Sequence, residues 1–451
     1  MRTYDVRIWK IRPVTRKAGR RYEFRWRVGT EAKSRTFANR ALADSFRSEL
    51  VRAARSGEAF DTVTGMPDAM ARRHGSDTWL DHAMSYVAMK WPRASAKHRA
   101  SIADALATVT PALFTNTEGM PAPATMRATL YGWAFNMAAR NANPDAPEDR
   151  TLPWLRKHSR RVADLDDLAV IRRALDLIAL KLDGKPAAAT TVSRKRAVFY
   201  NCLRYAVELR MLPANPLDIV QWTPPEVSEE VDPRIVINPG QAHGLLDHVR
   251  AEEPAGPRLV AFFGCLYYGG LRPGEATALR QDDCVLPLRG WGSLTLSRSE
   301  ARAGTRWTDE GTVRDIRGLK HRGVGVSRTV PIPPVLVALL RDHLANYGAG
   351  DDGRLFRGER GRPLQETVYG RLWKKARDHA LTPAQVASPL ASRPYDLRHA
   401  AVSLWLNAGV PATEVAARAG HSVHVLLKVY AKCIDGQTEA MNVRIERALA
   451  A

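Results

Sequence analysis

The stretch Arg393–Cys433, RPYDLRHAAVSLWLNAGVPATEVAARAGHSVHVLLKVYAKC, holds the most informative side chains of this sequence. Arg398 begins a helical pattern, His421 follows a glycine, and Tyr430 comes nine positions after His421 (430 − 421). An arginine can clamp a phosphate, and a tyrosine hydroxyl can attack one. This order and spacing therefore suit the attack of a tyrosine on an arginine-held phosphodiester.

A second arginine, Arg272, lies upstream in the segment GLRPGE, 270–275. It follows the apolar run 259–263, so it is predicted at a helix end or turn where the backbone can approach a phosphate. Two guanidiniums are a natural clamp for the extra negative charge of a pentavalent phosphorane. Tyr430, with an ordinary pKa near ~10, needs such help to act as a nucleophile. The alternative for Tyr430 is a packing role on an apolar helix face.

Taken together, these segments resemble the catalytic domain of the tyrosine recombinases, the phage integrase family. The resemblance rests on motifs from about Pro233 to the C-terminus and is architectural before that. It implies that Tyr430 forms a 3′-phosphotyrosyl bond with DNA and releases a 5′ hydroxyl. A second 5′ hydroxyl can then attack this bond and rejoin the strand. No cofactor and no metal is expected, because the sequence has neither a phosphate-binding Gly-x-x-x-x-Gly-Lys-Ser/Thr loop nor a carboxylate cluster.

The resemblance also implies roles for two further residues. Lys320, in GLKHRG (318–323), is predicted at a β-hairpin ahead of the strand 327–333, where it would protonate the leaving 5′ oxygen. The alternative for Lys320 is a solvated surface lysine. His421 is predicted to contact the phosphate or the nucleophile.

One position departs from the family pattern. Tyr395 stands where the family usually has a histidine, three residues before Arg398. A phenol can donate a hydrogen bond to phosphate, but it cannot act as a base near neutral pH. Tyr395 is therefore predicted to be a phosphate contact. His399 is a possible substitute, but one helical step turns it about 100° away from Arg398, which favours a structural role.

Composition limits the classes of partner. A chain of 451 residues can hold about two to four domains, and its net charge of +21 favours a polyanionic partner. No apolar segment approaches about 18 residues, and the N-terminus is too charged for a signal peptide, so DNA is favoured over a membrane. The four scattered cysteines indicate neither a zinc site nor a disulfide framework, and they suit a reducing cytoplasm.

Residues 1–60 are predicted to form an arm-type DNA-binding domain. They hold 16 Arg or Lys and 6 Asp or Glu, a net charge of +10 (16 − 6). The segment 22–28 alternates between apolar and polar residues, which predicts a strand flanked by strands at 6–11 and 33–37. A helix from near Asn39, with Leu42, Phe46 and Leu50 at four-residue spacing, would back this three-stranded sheet. The predicted DNA contacts are Arg7, Lys10, Arg25 and Arg27; the alternative is a small α+β domain with a solvated face.

The rest of the chain divides into three parts. Residues 76–212 show helical patterns, with helices opened by Ser76 and Asp164, and resemble the family's core-binding (SAM-like) domain. Arg194 and Lys195 there either contact phosphates or form a solvated face. A proline-rich acidic linker (213–240) and the catalytic domain (241–451) follow. The expected fold is thus multidomain α+β, with a mainly helical catalytic domain that carries a small sheet.

The sequence therefore predicts a site-specific recombinase, an integrase of a phage or mobile element. Its expected partners are double-stranded attachment sites and further copies of itself in a synaptic tetramer, and an excision factor or a DNA-bending protein is a candidate accessory partner. A first alternative is a recombinase that resolves chromosome or plasmid dimers, a class that usually lacks an arm domain. A second is a non-catalytic DNA-binding protein of the same fold.

Overall fold

The protein is a multidomain α+β chain, mainly helical with small sheets. The computed structural model describes residues 2–16, 19–67, 70, 77–144, 150–228, 230–302, 304–309, 311–312, 314–318, 327–358, 361–434 and 438–450. It divides into two compact units, Met1–Val227 and Ser228–Ala451. In the part of the chain that is described, no helix combines the length and the apolar character that crossing a membrane requires.

The first unit begins with a small sheet backed by a helix. Its elements are β1 (Arg2–Thr3), β2 (Val6–Ile8), β3 (Arg12–Arg16), β4 (Gly19–Val28), β5 (Glu31–Phe37), α1 (Arg40–Arg55) and β6 (Phe60–Asp61). β2 and β3 both pair with one edge of β4, and β5 pairs with the other edge. The sheet is four-stranded rather than three-stranded as predicted.

The extra strand arises because a bulge divides the predicted strand 6–11. Ile8 pairs with Trp26, and Arg12 pairs with Glu23. Between these pairs, the three residues 9–11 lie opposite only two residues of β4, 24 and 25. An additional residue of this kind interrupts the ladder and bends the strand. The pairing then continues through β3, beyond the predicted end of the strand.

The alternation along β4 is confirmed. Phe24, Trp26 and Val28 are buried, whereas the side chains of Arg25 and Arg27 are 52% and 42% exposed. The arginines lie on the open face, and the apolar side chains pack against α1.

Helix α1 begins where the sequence predicts, because the Asn39 side chain accepts a hydrogen bond from the Leu42 backbone N–H. Leu42 itself is 53% exposed, and Ala43, Phe46, Leu50 and Ala53 form the buried stripe instead. The predicted repeat is therefore wrong at its first residue, because Ala43 is buried in place of Leu42.

Helices make up most of the remainder of this unit. They are α2 (Trp79–Lys90), α3 (Ala96–Val109), α4 (Pro123–Thr129), a π-helical turn (Leu130–Ala134), α5 (Met137–Ala142), α6 (Thr151–His158), α7 (Leu168–Ile178) and α8 (Ala189–Glu208). Ser76, the predicted cap of α2, lies outside the described residues, and Thr78 caps that helix. Helix α7 is capped by Asp167 rather than by Asp164, and it ends before Leu182, which is exposed.

Lys195 on α8 is an internal side chain. It is 7% exposed, its Nζ donates to Thr108 Oγ1 at 2.9 Å, and it lies 3.2 Å from Asp104 Oδ2. Its neighbour Arg194 is exposed. The prediction that Lys195 contacts DNA is wrong, because its ammonium group is already paired inside the unit.

The second unit is built around the apolar helix α10. Its helices are α9 (Pro239–Ala251), α10 (Gly256–Tyr267), α11 (Pro273–Ala278), α12 (Pro334–Tyr347), α13 (Glu366–Ala380), α14 (Pro383–Ala387), α15 (Asp396–Asn407), α16 (Ala412–Ala419), α17 (Val423–Tyr430) and α18 (Thr438–Leu449). Its strands are β7 (Cys284–Val285), β8 (Gly292–Leu296), β9 (Arg298–Arg302), β10 (Arg314–Gly318) and β11 (Arg328–Ile332). Phe262 and Phe263 of α10 lie at the centre of the larger core, and Phe263 stacks on Trp373.

Two predictions about connecting segments need correction. β10 pairs with β9, and β11 pairs with β8, so the described strands on either side of Lys320 do not form one hairpin with each other. Lys320 itself lies outside the described residues. The predicted linker 213–240 is not extended throughout, because it contains short helical turns at Pro216–Asp218 and Pro233–Ile235. Val231 and Ile237 are also buried in the cores of the second unit.

We expect Lys195→Ala to lower the free energy of unfolding by about 1–3 kcal/mol, because it removes a buried partner of Asp104 and Thr108. The matched control is the exposed neighbour, Arg194→Ala, whose effect should stay within about 0.5 kcal/mol. Urea denaturation of both variants measures the difference. Equal unfolding midpoints would show that the internal pairing of Lys195 adds no stability.

Candidate active site

Arg272 stands at the N-terminus of α11, and its sequence neighbours fix it there. Pro273 occupies the first helical position, where a missing N–H costs nothing. Glu275, three residues on, accepts hydrogen bonds from the Arg272 backbone N–H at 2.9 Å and from its Nη1 at 2.8 Å. Gly270 has φ +60°, and a Cβ there would lie 2.6 Å from the Trp405 ring. The turn before Arg272 thus requires glycine.

Glu275 is a buried carboxylate shared by three guanidiniums. Its Oε2 accepts from Arg328 Nη2 at 2.9 Å and lies 4.0 Å from Arg398 Nη1, while Arg272 holds Oε1. Burial raises the pKa of the Glu275 carboxyl, but Arg328, Arg398 and Arg272 outweigh burial, and the net pKa is lowered. Burial lowers the pKa of Arg328 to about 10, which leaves it charged at neutral pH. The group therefore carries an excess of two positive charges (3 − 1).

Arg398 lies in the first turn of α15 and is fully buried. Its Nη1 donates to the Gly270 carbonyl oxygen and its Nη2 to the Ala419 carbonyl oxygen. Nη2 also lies 2.9 Å from His421 Nε2. These contacts bring together three segments that are far apart in sequence.

Gly420 allows the arginines to approach the turn that carries His421. It ends α16 with φ +65°, and its carbonyl oxygen accepts from Arg272 Nη2 at 3.1 Å. A Cβ at this position would lie 1.7 Å from Arg328 Nη1. A side chain here would displace the guanidinium, so the glycine before His421 has a steric cause.

His421 is a neutral hydrogen-bond donor in this arrangement. A guanidinium can only donate, so His421 Nε2 must accept from Arg398, and the proton of the neutral ring sits on Nδ1. Burial, and then the charges of Arg398, Arg272 and Arg328, lower the pKa of His421 to about 3. Nδ1 is buried and has no hydrogen-bond partner among the described residues. It is therefore a buried donor without a partner in the described part of the chain.

Tyr430 ends α17 in a closed environment. It is 1% exposed, and its Oη lies 2.9 Å from His399 Nδ1. Burial raises the pKa of the Tyr430 hydroxyl, against the opposing effect of Arg398. The His421 ring lies 6.2 Å from the Tyr430 ring. The free protein therefore holds Tyr430 as a protonated phenol.

His399 reaches Tyr430, contrary to the expectation from helix geometry. Its ring lies 5.0 Å from the Tyr395 ring, edge to face, and 5.6 Å from the Tyr430 ring. Burial is the main cause that lowers the pKa of His399 to about 4. The rotation from Arg398 does not separate His399 from Tyr430, because Tyr430 lies on the side of α15 to which His399 points.

The structure thus brings together Arg272, Arg398, His421 and Tyr430, with Tyr395 beside His399. Sequence reasoning missed the contributions of Glu275 and Arg328, and it favoured a structural role for His399. Glu275 stood inside the quoted GLRPGE motif, but the motif did not indicate that three arginines share its carboxylate. His399 stood inside the stretch 393–433, but the pattern there did not indicate its contact with Tyr430. Within the described ranges, no group of three or more His, Cys, Asp or Glu side chains is placed to hold a metal ion.

Two likenesses to solved structures are distant. The Tn1549 transposon integrase in complex with a circular intermediate DNA aligns with a TM-score of 0.49 at 17% identity, over 68% of this chain and 96% of that one. The XerH site-specific recombinase bound to difH substrate gives a TM-score of 0.45 at 12% identity, over 82% and 94%. Likenesses this distant do not indicate the function of the chain.

The sequence matches are more direct. The integrase of Mycobacterium phage D29 is 28% identical over 230 residues, which are 49% of this chain and 54% of that relative. The chain therefore spans about half the length of this curated relative. The family model described as "Phage integrase family" matches residues 236–435, the range that contains every residue of the site above. Through this segment, the chain is similar to the phage integrase family.

Proposed function

We propose that this protein is a site-specific DNA recombinase that cuts and rejoins strands through a 3′-phosphotyrosyl intermediate and integrates a phage or mobile element. The observation that carries the proposal is the excess positive charge around Glu275, adjoining a buried tyrosine hydroxyl. The family match and the phage integrase relative support the same conclusion.

The arginine cluster supplies what phosphoryl transfer needs. Negative charge grows on the phosphate oxygens as Tyr430 attacks, and donors fixed in advance stabilise that charge without reorganising. Arg272 is 21% exposed at the side chain, so it can present its guanidinium to a strand, while Arg398 provides charge from behind. His421 Nδ1–H adds a neutral donor.

Rejoining follows from the same chemistry. The phosphotyrosyl bond conserves the energy of the broken phosphodiester, so a second 5′ hydroxyl can displace Tyr430 without a nucleotide cofactor. We assign protonation of the leaving 5′ oxygen to Lys320 and a hydrogen bond to the phosphate to Tyr395. Both assignments come from the family resemblance and its motifs.

The N-terminal unit is proposed to bind the same DNA. Arg7 and Arg27 pair across β2 and β4, and Arg25 lies on the same open face. Residues 1–60, including Lys10, would bind an arm site. The helices of 76–212, including Arg194, would bind next to the cleavage site. We propose cytoplasmic assembly of a synaptic tetramer on two attachment sites, with an excision factor or a DNA-bending protein as a candidate accessory partner.

The two alternatives differ in what they predict. A recombinase that resolves dimers usually lacks an arm domain, whereas here an arginine-bearing sheet face precedes the helices. A non-catalytic DNA-binding protein has no need to keep a tyrosine hydroxyl paired with a histidine next to a phosphate clamp. Covalent capture of DNA separates enzyme from binding protein directly.

We expect Tyr430→Phe to abolish a covalent protein–DNA adduct that the wild-type protein forms, because it removes the attacking oxygen. The probes are nicked duplexes tiled across the DNA that flanks the gene, and denaturing electrophoresis detects the adduct. Tyr347→Phe, at the far end of α12, is the matched control and should form the adduct normally. An adduct with Tyr430→Phe would exclude Tyr430 as the nucleophile, and no adduct with any duplex would contradict the proposed activity.

We expect the double variant Arg25→Gln, Arg27→Gln to reduce the slope of log affinity against log salt by about 2, because each phosphate contact contributes about 0.9. The pairs with Glu23 and Asp5, both at 3.6 Å, are exposed and should not offset this loss. Arg52→Gln with Arg55→Gln removes the same charge from α1 and is the control. If both double variants change the slope equally, the open face of the sheet is not the DNA-binding surface.

A further inference from the structure

We propose that His399 is the catalytic base that takes the proton of the Tyr430 hydroxyl during strand cleavage. The inference deepens the proposed function and rests on it. Its main observation is the 2.9 Å contact between His399 Nδ1 and Tyr430 Oη, a hydrogen-bond distance to the one atom that must lose a proton.

The other groups around Tyr430 cannot accept this proton. His421 has its Nε2 lone pair occupied by Arg398, and its Nδ1 carries a hydrogen. Glu275 is engaged by three guanidiniums, which lower its pKa. Tyr395 is a phenol, with no basic lone pair near neutral pH. Among the described side chains of the site, His399 alone combines a free basic nitrogen with contact to Tyr430.

The step balances in atoms and charge. As Tyr430 Oη bonds to phosphorus, its proton passes to His399 Nδ1, and the ring becomes an imidazolium. The bond between phosphorus and the 5′ oxygen breaks, and that oxygen takes a proton from the general acid, proposed above as Lys320. Rejoining reverses each transfer, so the imidazolium of His399 returns its proton to the departing Tyr430 oxygen.

The charges around His399 fit a base that is neutral at rest. Arg398 and Arg393 oppose its protonation, Asp396 favours it, and Tyr395 and Tyr430 pack against the ring. Burial and the two guanidiniums keep the ring unprotonated in the free protein. A phosphodiester held by Arg272 near the buried Arg398 brings one negative charge, which opposes the guanidinium effect. His399 therefore becomes more basic when the substrate is in place.

The test compares His399→Asn with the wild-type protein. An asparagine oxygen can stand near the Nδ1 position and accept the Tyr430 hydrogen bond, but it cannot take up a proton. The probe is the tiled duplex that gives the most wild-type adduct, remade with a bridging 5′-phosphorothiolate so that the leaving group needs little protonation. The readout is the single-turnover rate of adduct formation as a function of pH.

We expect His399→Asn to lower this rate by roughly 10²-fold or more, the usual contribution of a general base. Its rate should rise with pH, because hydroxide must now remove the proton, while the wild-type rate stays level above the pKa of His399. Added imidazole should restore part of the rate of His399→Ala. Such a rescue would show that removing the His399 ring leaves the site folded and takes away only the base. His248→Asn, exposed on α9, is the matched control and should retain the wild-type rate and profile.

A second measurement needs no DNA. The ¹⁵N NMR signals of His399 report which ring nitrogen carries the proton, and the proposal requires Nε2–H with Nδ1 accepting from Tyr430. Tyr430→Phe should shift the Nδ1 signal. A ring protonated on Nδ1, or a wild-type rate and level profile in His399→Asn, would overturn the role of His399 while leaving the recombinase proposal intact. If the wild-type protein forms no adduct with any duplex, the recombinase proposal itself is overturned.

Discussion

The buried carboxylate of Glu275 is the interaction on which the site depends. Three guanidiniums at this depth would repel one another, and removing one partner of a buried pair leaves an uncompensated charge. Glu275 holds Arg272, Arg328 and Arg398 through ion pairs and hydrogen bonds, yet it neutralises only part of their charge. The remaining charge is available to a phosphate. One acidic residue thus both assembles the clamp and leaves it attractive to anions.

The same cluster sets the protonation of both histidines. Burial lowers the pKa of His421 to about 3 and of His399 to about 4, and neighbouring arginines act in the same direction. At neutral pH both rings are uncharged. The contact with Arg398 fixes the tautomer of His421, and the proposed role of His399 requires the opposite tautomer. His421 faces Arg398, so it presents Nδ1–H. His399 faces a hydroxyl, so it can keep Nδ1 as an acceptor. In the proposed mechanism, two identical side chains thus serve as donor and acceptor because their partners differ.

Local sequence signals predicted the features that depend on local chemistry. The alternation of β4, the Asn39 cap of α1 and the apolar character of α10 were all readable from short segments. Features that depend on tertiary partners were not. Lys195 looked like part of a basic surface until Asp104 and Thr108 were found beside it. The contact of His399 with Tyr430 was not predicted, because a rotation of about 100° per residue describes one helix and ignores a partner on another.

The burial of Tyr430 bears on how the proposed reaction ends. A phenol that is protonated at rest loses its proton only as its oxygen bonds to phosphorus, so the resting protein holds no phenolate to attack other groups. The acceptor in cleavage is the donor in rejoining, since the two steps are the reverse of each other. A histidine whose pKa is lowered by its surroundings returns the proton readily. A stronger base would keep it and leave the DNA cut, so a weakly basic His399 suits an enzyme that must rejoin every strand it opens.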